Sequence, residues 1–349
     1  MATPLRSLTA AGLRCVRTGK STSASLPRPM PITTTNNIPS RPFTATAAIA
    51  SSPPPQPKIL LEDRDSGFGF VRHNSPSPKP RTRSVTEIRG PYYTVMGQRY
   101  LSDVLETMGT HVDGLKFAGG SFALFAERPL RQLLDLAHAH GVYVSTGGWI
   151  EHVLASSGGD VPSAVDMYLA KCKDLGFDEV ELSTGFLSLP PDDWLRLAER
   201  VQKAGMEPKP ELGIQFGAGG DTPAAELQSI GTSDPSKVIN MAKRFVKEAG
   251  VKRCMIESEG ITENVQSWRT DVIQAILREL PLEKVMFEAA DPEVFNWYIR
   301  EFGVDVNLFV DHSQIVQLAG LKAGIWGKSD TFGKITTYRP PDKVQINGI

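Results

Sequence analysis

The sequence predicts an α/β fold: a single (β/α)8 TIM barrel behind a disordered N-terminal extension. Three observations predict it. Between residues 85 and 338 of the 349-residue chain, eight apolar runs of four to seven residues alternate with longer amphipathic segments. Strand then helix, repeated eight times over about 250 residues, is the arithmetic of a closed barrel. Gly176, Gly205, Gly250 and Gly303 each fall between a helical segment and the next apolar run, where glycine supplies the left-handed turn that ends a helix. Finally, a doubly wound sheet carries a glycine-rich turn after its first strand, and Gly97 is the only glycine there.

The elements follow in order. The first strand is read at Tyr92–Met96, with a helix near Ser102–Met108. The second is Gly114–Phe117, then a helix over Pro129–His140. Val142–Ser145 precedes a helix over Pro162–Leu175, and Glu179–Ser183 precedes one over Pro191–Ala204. Glu207–Leu212 is followed by Pro235–Ala249, and Cys254–Glu257 by Val265–Leu280. Val285–Glu288 leads to Pro292–Phe302, and Val306–Val310 to Ser313–Leu321. Asp160, Pro162, Pro191 and Pro235 stand at predicted helix starts, where an aspartate caps the chain and proline suits the first turn.

The flanks have a different composition. Seven basic residues and no acidic one precede Glu62, so a chain of net charge -1 carries +7 there and -8 in the remainder. An arginine-rich, hydroxyl-rich, acid-poor start has the character of a mitochondrial transit peptide. A matrix address is therefore expected, with a cytoplasmic protein bearing a basic tail as the alternative. Residues 51–84 continue rich in proline and serine and read as linker. The expected organisation is 1–84 leader and linker, 85–338 barrel, 339–349 tail.

Composition excludes several classes. No run of 18 apolar residues exists for a membrane-spanning helix. The three cysteines include no C-x-x-C pair, and no H-E-x-x-H occurs. Near-neutral net charge lacks the basic stripe of a nucleic-acid binder. The partners expected are small anions, with no nucleic acid and no membrane; a homo-oligomer is the assembly considered.

Barrel enzymes build their sites at the C-terminal strand ends. Lys116 stands on the second strand, Glu181 and Ser183 end the fourth, and Lys209 and Glu211 end the fifth. Glu257 and Glu259 end the sixth, Glu288 the seventh, and Asn307 and Asp311 flank the eighth. A charged residue in an apolar strand is costly unless paired or ligated. Converging carboxylates repel, and hard oxygen donors would select Mg2+ as the relieving cation. Lysines among them suit a phosphate- or carboxylate-bearing substrate. Structural ion pairs around the rim are the alternative for any one of these residues. The glycine pairs Gly119-Gly120 and Gly147-Gly148, and the stretch Gly324–Ser329 with Lys328, are candidate anion cradles or simply tight turns. His312, after the eighth strand, is a candidate for the mouth. Trp149 and Trp326 line a pocket or pack in the core.

Long stretches then carry a family resemblance: Val85–Pro91, Asp113–Ser121, Val142–Gly147, Gly176–Leu182, Lys284–Ala289 and Val306–Gln314. Over residues 85 to 335 the chain resembles the phosphosulfolactate synthases, and more closely their plant heat-stress-associated branch. The resemblance implies a (β/α)8 barrel that adds sulfite to phosphoenolpyruvate with magnesium. If that chemistry holds, the roles follow from charge: Lys116 and Glu211 are the catalytic candidates, Lys116 being a general acid or an anion clamp, and magnesium is held by some of Glu181, Glu211, Glu257 and Glu288, with Glu181, Glu257 and Glu288 as the expected ligands. Arg89, Gly119, Gly120, Gly147, Gly148, Asn307 and Lys328 are the implied anion-binding set. Two departures stand out: Gly97-Gln98-Arg99 where the synthases carry Asp-Lys-Gly after the first strand, and Trp326 where they carry a basic residue. These departures favour the alternative of a barrel that has drifted in chemistry and acts in protein homeostasis through partner binding; the surviving carboxylates favour the synthase, and a divergent lyase on another enol or oxo-acid phosphate lies between them.

Overall fold

Residues of the strands alternate between two environments, and that alternation closes the barrel. The computed structural model describes residues 58–218, 222–232, 234–289 and 291–332. Its strands are β1 (Thr86–Arg89), β2 (Gly114–Lys116), β3 (Tyr143–Ser145), β4 (Glu179–Leu182), β5 (Glu207–Leu212), β6 (Cys254–Ile256), β7 (Val285–Glu288) and β8 (Leu308–Asp311). Each pairs in parallel with the next, and β8 returns to β1 with Thr86 opposite Leu308. The predicted TIM barrel is the fold that forms.

Outward positions Ile88, Leu115, Val180, Phe287 and Val310 are buried in one large core against the helices. Burying each such side chain contributes about 1.5–3 kcal/mol. Inward positions Val85, Met255, Met286 and Phe309 form a small separate apolar cluster, with Tyr143 packed against it. The other inward positions are largely charged, including Glu87, Lys116, Glu181 and Lys209, all buried.

Charged interior positions explain the one strand misplaced by sequence reading. Tyr92–Met96 was the expected first strand, but β1 is the preceding Thr86–Arg89. Its alternation puts Glu87 and Arg89 inside and Ile88 outside, so it has no apolar run. Tyr93 and Val95 are instead exposed in a loop. On β5, Pro208 and Pro210 lack an N–H, and the ladder to β6 begins only at Glu211, so no pairing donor is lost.

The crossovers are α1 (Gln98–Met108), α2 (Glu127–Ala139), α3 (Ile150–Ser156) with α4 (Val161–Leu175), α5 (Pro191–Lys203), α6 (Ala224–Ile230) with α7 (Pro235–Lys247), α8 (Thr270–Glu279), α9 (Pro292–Phe302) and α10 (Ile315–Ala323). Asp160 caps α4 by accepting from the Ser163 N–H, and Asp234 caps α7 by accepting from the Ser236 N–H. Gly176 ends α4 at φ +103°. The two-turn helices α3 and α6 were not expected; seven residues are too few to show a helical period.

Residues 74–84, read as linker, cross the N-terminal end of the barrel. Arg81 is paired with Asp113 at 3.0 Å, both nearly inaccessible, and Lys79 donates to the carbonyls of Gly109 and His140. The expected transit peptide and the C-terminal tail lie outside the described residues. Among the described residues no helix is long and apolar enough to cross a membrane.

Candidate active site

Parallel pairing brings every strand's C-terminal end to one mouth, and the inward charges meet there in two tiers. In the lower tier, Lys209 Nζ lies 2.6 Å from Glu87 Oε1, 3.7 Å from Glu179 and 3.6 Å from Glu181. The Tyr143 hydroxyl donates to Glu87 at 2.8 Å. Burial alone would raise the Glu87 carboxyl, but Lys209 and Lys116 outweigh it and hold it below the usual range. This tier is closed on itself and serves as the floor.

The upper tier is the site. Lys116 Nζ stands 2.8 Å from Glu181 Oε2 and 2.7 Å from Glu211 Oε1, and 4.6 Å from the centre of the Phe309 ring. Burial disfavours its charge, yet Glu181 and Glu211 outweigh that and raise the ammonium well above its ordinary value. Glu181 is pushed up to about 7, by burial first and by Glu211 second. Above them, one carboxylate oxygen each from Glu211, Glu257 and Glu288 can lie within 4.8 Å of the others. Burial, then Glu288 and Glu211, push Glu257 well above the carboxylate range. Glu288 is held below it, because its ion pair with Arg89 outweighs burial. Arg89 also donates to the Tyr93 hydroxyl at 3.1 Å and faces the Phe309 ring. His312 Nδ1 lies 2.9 Å from the Arg89 carbonyl, placing it behind Arg89.

These groups open into a cavity of about 750 Å³. The like charges crowd there: Glu259 and Glu263 line it too, and burial pushes Glu263 up to about 7. Three converging carboxylates give a hard oxygen donor set, which fits a magnesium-type cation and not a soft one.

The structure brings together Lys116, Glu181, Glu211, Glu257, Glu288, Arg89, Gly119 and Gly148 around this cavity. It places them in two groups: Glu181 is fully buried beside Lys116, while Glu211, which also pairs with Lys116, converges with Glu257 and Glu288. Gly120 and Gly147 do not line the cavity. Both have positive φ; a Cβ on Gly120 would fall 2.2 Å from the Trp149 ring and one on Gly147 2.4 Å from the Phe117 carbonyl. They shape the turns, Gly147 making a close backbone approach.

Two expected anion ligands lie elsewhere. Asn307 precedes β8, at the opposite end of the barrel. Its amide bonds the Val85 N–H at 2.9 Å and the Leu282 and Val285 carbonyls at 3.1 and 3.0 Å. It ties β8, β1 and β7 together because buried backbone groups there need partners. Lys328 is half-exposed and paired with Glu293 at 3.0 Å. The departures from the family pattern also fall outside the cavity lining. Gly97-Gln98-Arg99 opens α1, with Gly97 as its cap and Arg99 exposed, and Trp326 is 64% exposed.

Sequence reading missed Glu87, Glu151 and Glu263. The first had a signal: a Glu and an Arg spaced by two in Thr86–Arg89 mark one face of a strand. Glu151 and Glu263 lie in segments between strands, and only the fold brings them to the mouth.

Comparison with known proteins matches the chain to one family. The family model described as (2R)-phospho-3-sulfolactate synthase (ComA) matches residues 74–328. Protein HEAT-STRESS-ASSOCIATED 32 of Arabidopsis thaliana is 39% identical over 254 residues, 70% of this chain and 87% of the relative. The phosphosulfolactate synthase of Methanocaldococcus jannaschii is 25% identical over 68% of this chain and 90% of its own length. That of Methanothermobacter thermautotrophicus is 23% identical over 69% and 89%. The matched span starts where the chain first crosses the barrel floor and ends past α10, so the whole barrel is covered: the chain belongs to the (2R)-phospho-3-sulfolactate synthase family.

Proposed function

We propose that this barrel is a lyase that adds sulfite to phosphoenolpyruvate in a magnesium-dependent reaction, forming phosphosulfolactate. The observation that carries the reading is the Lys116 ammonium held between Glu181 and Glu211, directly beside a carboxylate triad. Family membership supports a lyase-type enzyme on small anionic substrates. Glu211, Glu257 and Glu288 would hold the magnesium ion, which supplies a Lewis acid for the substrate carboxylate.

The chain's own residues do the rest. Arg89, fixed by Glu288 and by its stack against Phe309, binds the phosphate or the incoming sulfite as a planar cation. Sulfite sulfur forms a bond to C3 of the enol phosphate, and C2 gains a proton. Lys116 carries that proton at Nζ, and its charge also clamps the carboxylate. Glu181, 2.8 Å from Nζ, is placed to return a proton to Lys116 once it has protonated C2.

Direct detection of phosphosulfolactate tests this. Lys116→Met is expected to lower turnover by roughly 10²–10⁴-fold, the usual range for a lost general acid. Glu257→Gln is expected to lower it and to abolish its magnesium dependence. Sulfite-dependent consumption of phosphoenolpyruvate that is unchanged in either variant would sink the assignment. The 39% relative named for heat stress favours a second reading, in which the barrel acts in protein homeostasis and thermotolerance through partner binding. Absence of any product from the wild type, with magnesium and both substrates, would favour it.

A further inference from the structure

The cavity is larger than the proposed substrates. Phosphoenolpyruvate and sulfite together need on the order of 300 Å³, whereas cavities of roughly 300–1,000 Å³ accommodate drug-sized ligands. The cavity here is about 750 Å³. Its two ends also differ in chemistry. One end holds Lys116, Arg89 and the carboxylates. The other runs between α3, the β4–α5 loop and α7; Phe186, Leu189, Trp194, Ile214, Phe216 and Met241 wall it, and Glu151, His152 and Lys237 are the charged or titratable groups that line it with them. Phe186 and Phe216 are 53% and 50% exposed. Large aromatic side chains left half in water on the wall of a cavity are a cost unless a ligand covers them. A three-carbon anion bound at Lys116 covers neither.

We infer that the site takes an amphiphilic anion: a phosphate- or carboxylate-bearing head on Lys116 and Arg89, and a hydrocarbon or aryl extension lying in the apolar lobe. The inference deepens the proposed function and rests on it only for the placement of the head group. Lys116 and Arg89 are the cations that meet the head, and because both are already paired with carboxylates, the head binds together with the magnesium ion that the proposed function places on Glu211, Glu257 and Glu288. Continuity of the cavity sets the tail, since the apolar walls begin beside Glu211, at Ile214, and lead out to Phe186 and Phe216. Trp149 and Trp194 both line the cavity, so occupancy is readable from their fluorescence.

The test is a titration of the full chain, in saturating magnesium, with methyl, butyl and octyl phosphate, run alongside phosphoenolpyruvate. Burying a methylene strengthens binding by up to about fourfold. The dissociation constant is therefore expected to fall about two- to fourfold per added carbon until the lobe is filled. Phe186→Asp and Phe216→Asp change exposed residues and are expected to leave folding intact, which a thermal melt checks. Both are expected to flatten the chain-length dependence while leaving methyl phosphate affinity within about twofold. Lys116→Met is expected to weaken the whole series alike. If methyl phosphate and phosphoenolpyruvate bind but added carbons gain nothing, or if the aspartate variants keep the wild-type slope, the apolar lobe is not a ligand site. Such results leave the lyase reading intact. If the slope appears but phosphosulfolactate does not form, the reaction is overturned and the lobe stands. Binding by no member of the series overturns both.

Discussion

Glu181 on β4 and Glu288 on β7 are both buried glutamates lining one cavity, yet their surroundings push their carboxyls in opposite directions. Glu181, at about 7, has burial and Glu211 against it, and it shares its cation Lys116 with another carboxylate. Glu288 has Arg89 beside it and stays below the usual range. Environments that push paired groups apart suit acid and base roles, and under the proposed reaction Glu181 would carry the proton and Glu288 the cation. Asn307 shows the converse, a polar residue whose role is structural. Its amide satisfies the Val85 N–H and two carbonyls in the barrel floor. Replacing it by leucine strands buried backbone groups, at about 1–3 kcal/mol for an unsatisfied group. Asn307→Leu is therefore expected to lower stability by about 3 kcal/mol in urea titration while leaving turnover of the folded fraction unchanged. A stable variant with reduced substrate affinity would restore Asn307 to the site.

At the scale of elements, the segment 74–84 and α10 form a cationic seam under the barrel. Lys322 Nζ donates to the Ser84 carbonyl and the Thr86 hydroxyl, both at 3.0 Å. Burial pushes its ammonium down to about 7 and that of Lys79 down to about 8. Both folded values lie below the unfolded lysine value of 10.5. From about pH 7 upward the unfolded chain therefore binds more protons than the folded one, and these groups make stability rise with pH. Below pH 7 both states are protonated and the cost of the buried charge is at its fullest. Between pH 7 and 8.5 the wild type is expected to gain about 1.5 kcal/mol more stability than Lys322→Met. Groups common to both proteins cancel in that difference. Parallel pH dependences of the two denaturation midpoints would mean that Lys322 keeps its charge in the fold. This seam was read from sequence as linker because Pro and Ser dominate it; its anchors, Lys79 and Arg81, gain partners only where α1, α2 and β2 bring their termini together.

At the scale of the molecule, closure of the sheet concentrates negative charge at one end. An ion bound only by the folded state stabilises it by mass action, by about 2.7 kcal/mol at a hundredfold excess over Kd. Saturating magnesium is thus expected to raise the melting temperature by several degrees, EDTA to reverse it, and Glu257→Gln to remove the response. A magnesium-insensitive wild type would exclude the triad as the ion's site. The sequence by itself determined the barrel and most of its mouth. Strand–helix period, capping aspartates, first-turn prolines and left-handed glycines are local properties, and a parallel barrel places every strand's C-terminal end at one site. Lys116, Glu181, Glu211, Glu257 and Glu288 were legible for that reason. What only the tertiary structure decided was the partition among them and the identity of β1. Glu87 and Arg89 make β1 look like a polar stretch until Lys209 and Glu288, 122 and 199 residues away, neutralise them inside the barrel. Whether a strand-end carboxylate pairs with a lysine, as Glu181 does, or faces other carboxylates, as Glu257 does, depends on distances across the barrel, which no spacing along the chain encodes. The same holds for Asn307 and Lys328: their neighbours in sequence pointed to the mouth, but their hydrogen-bond partners fixed them away from it.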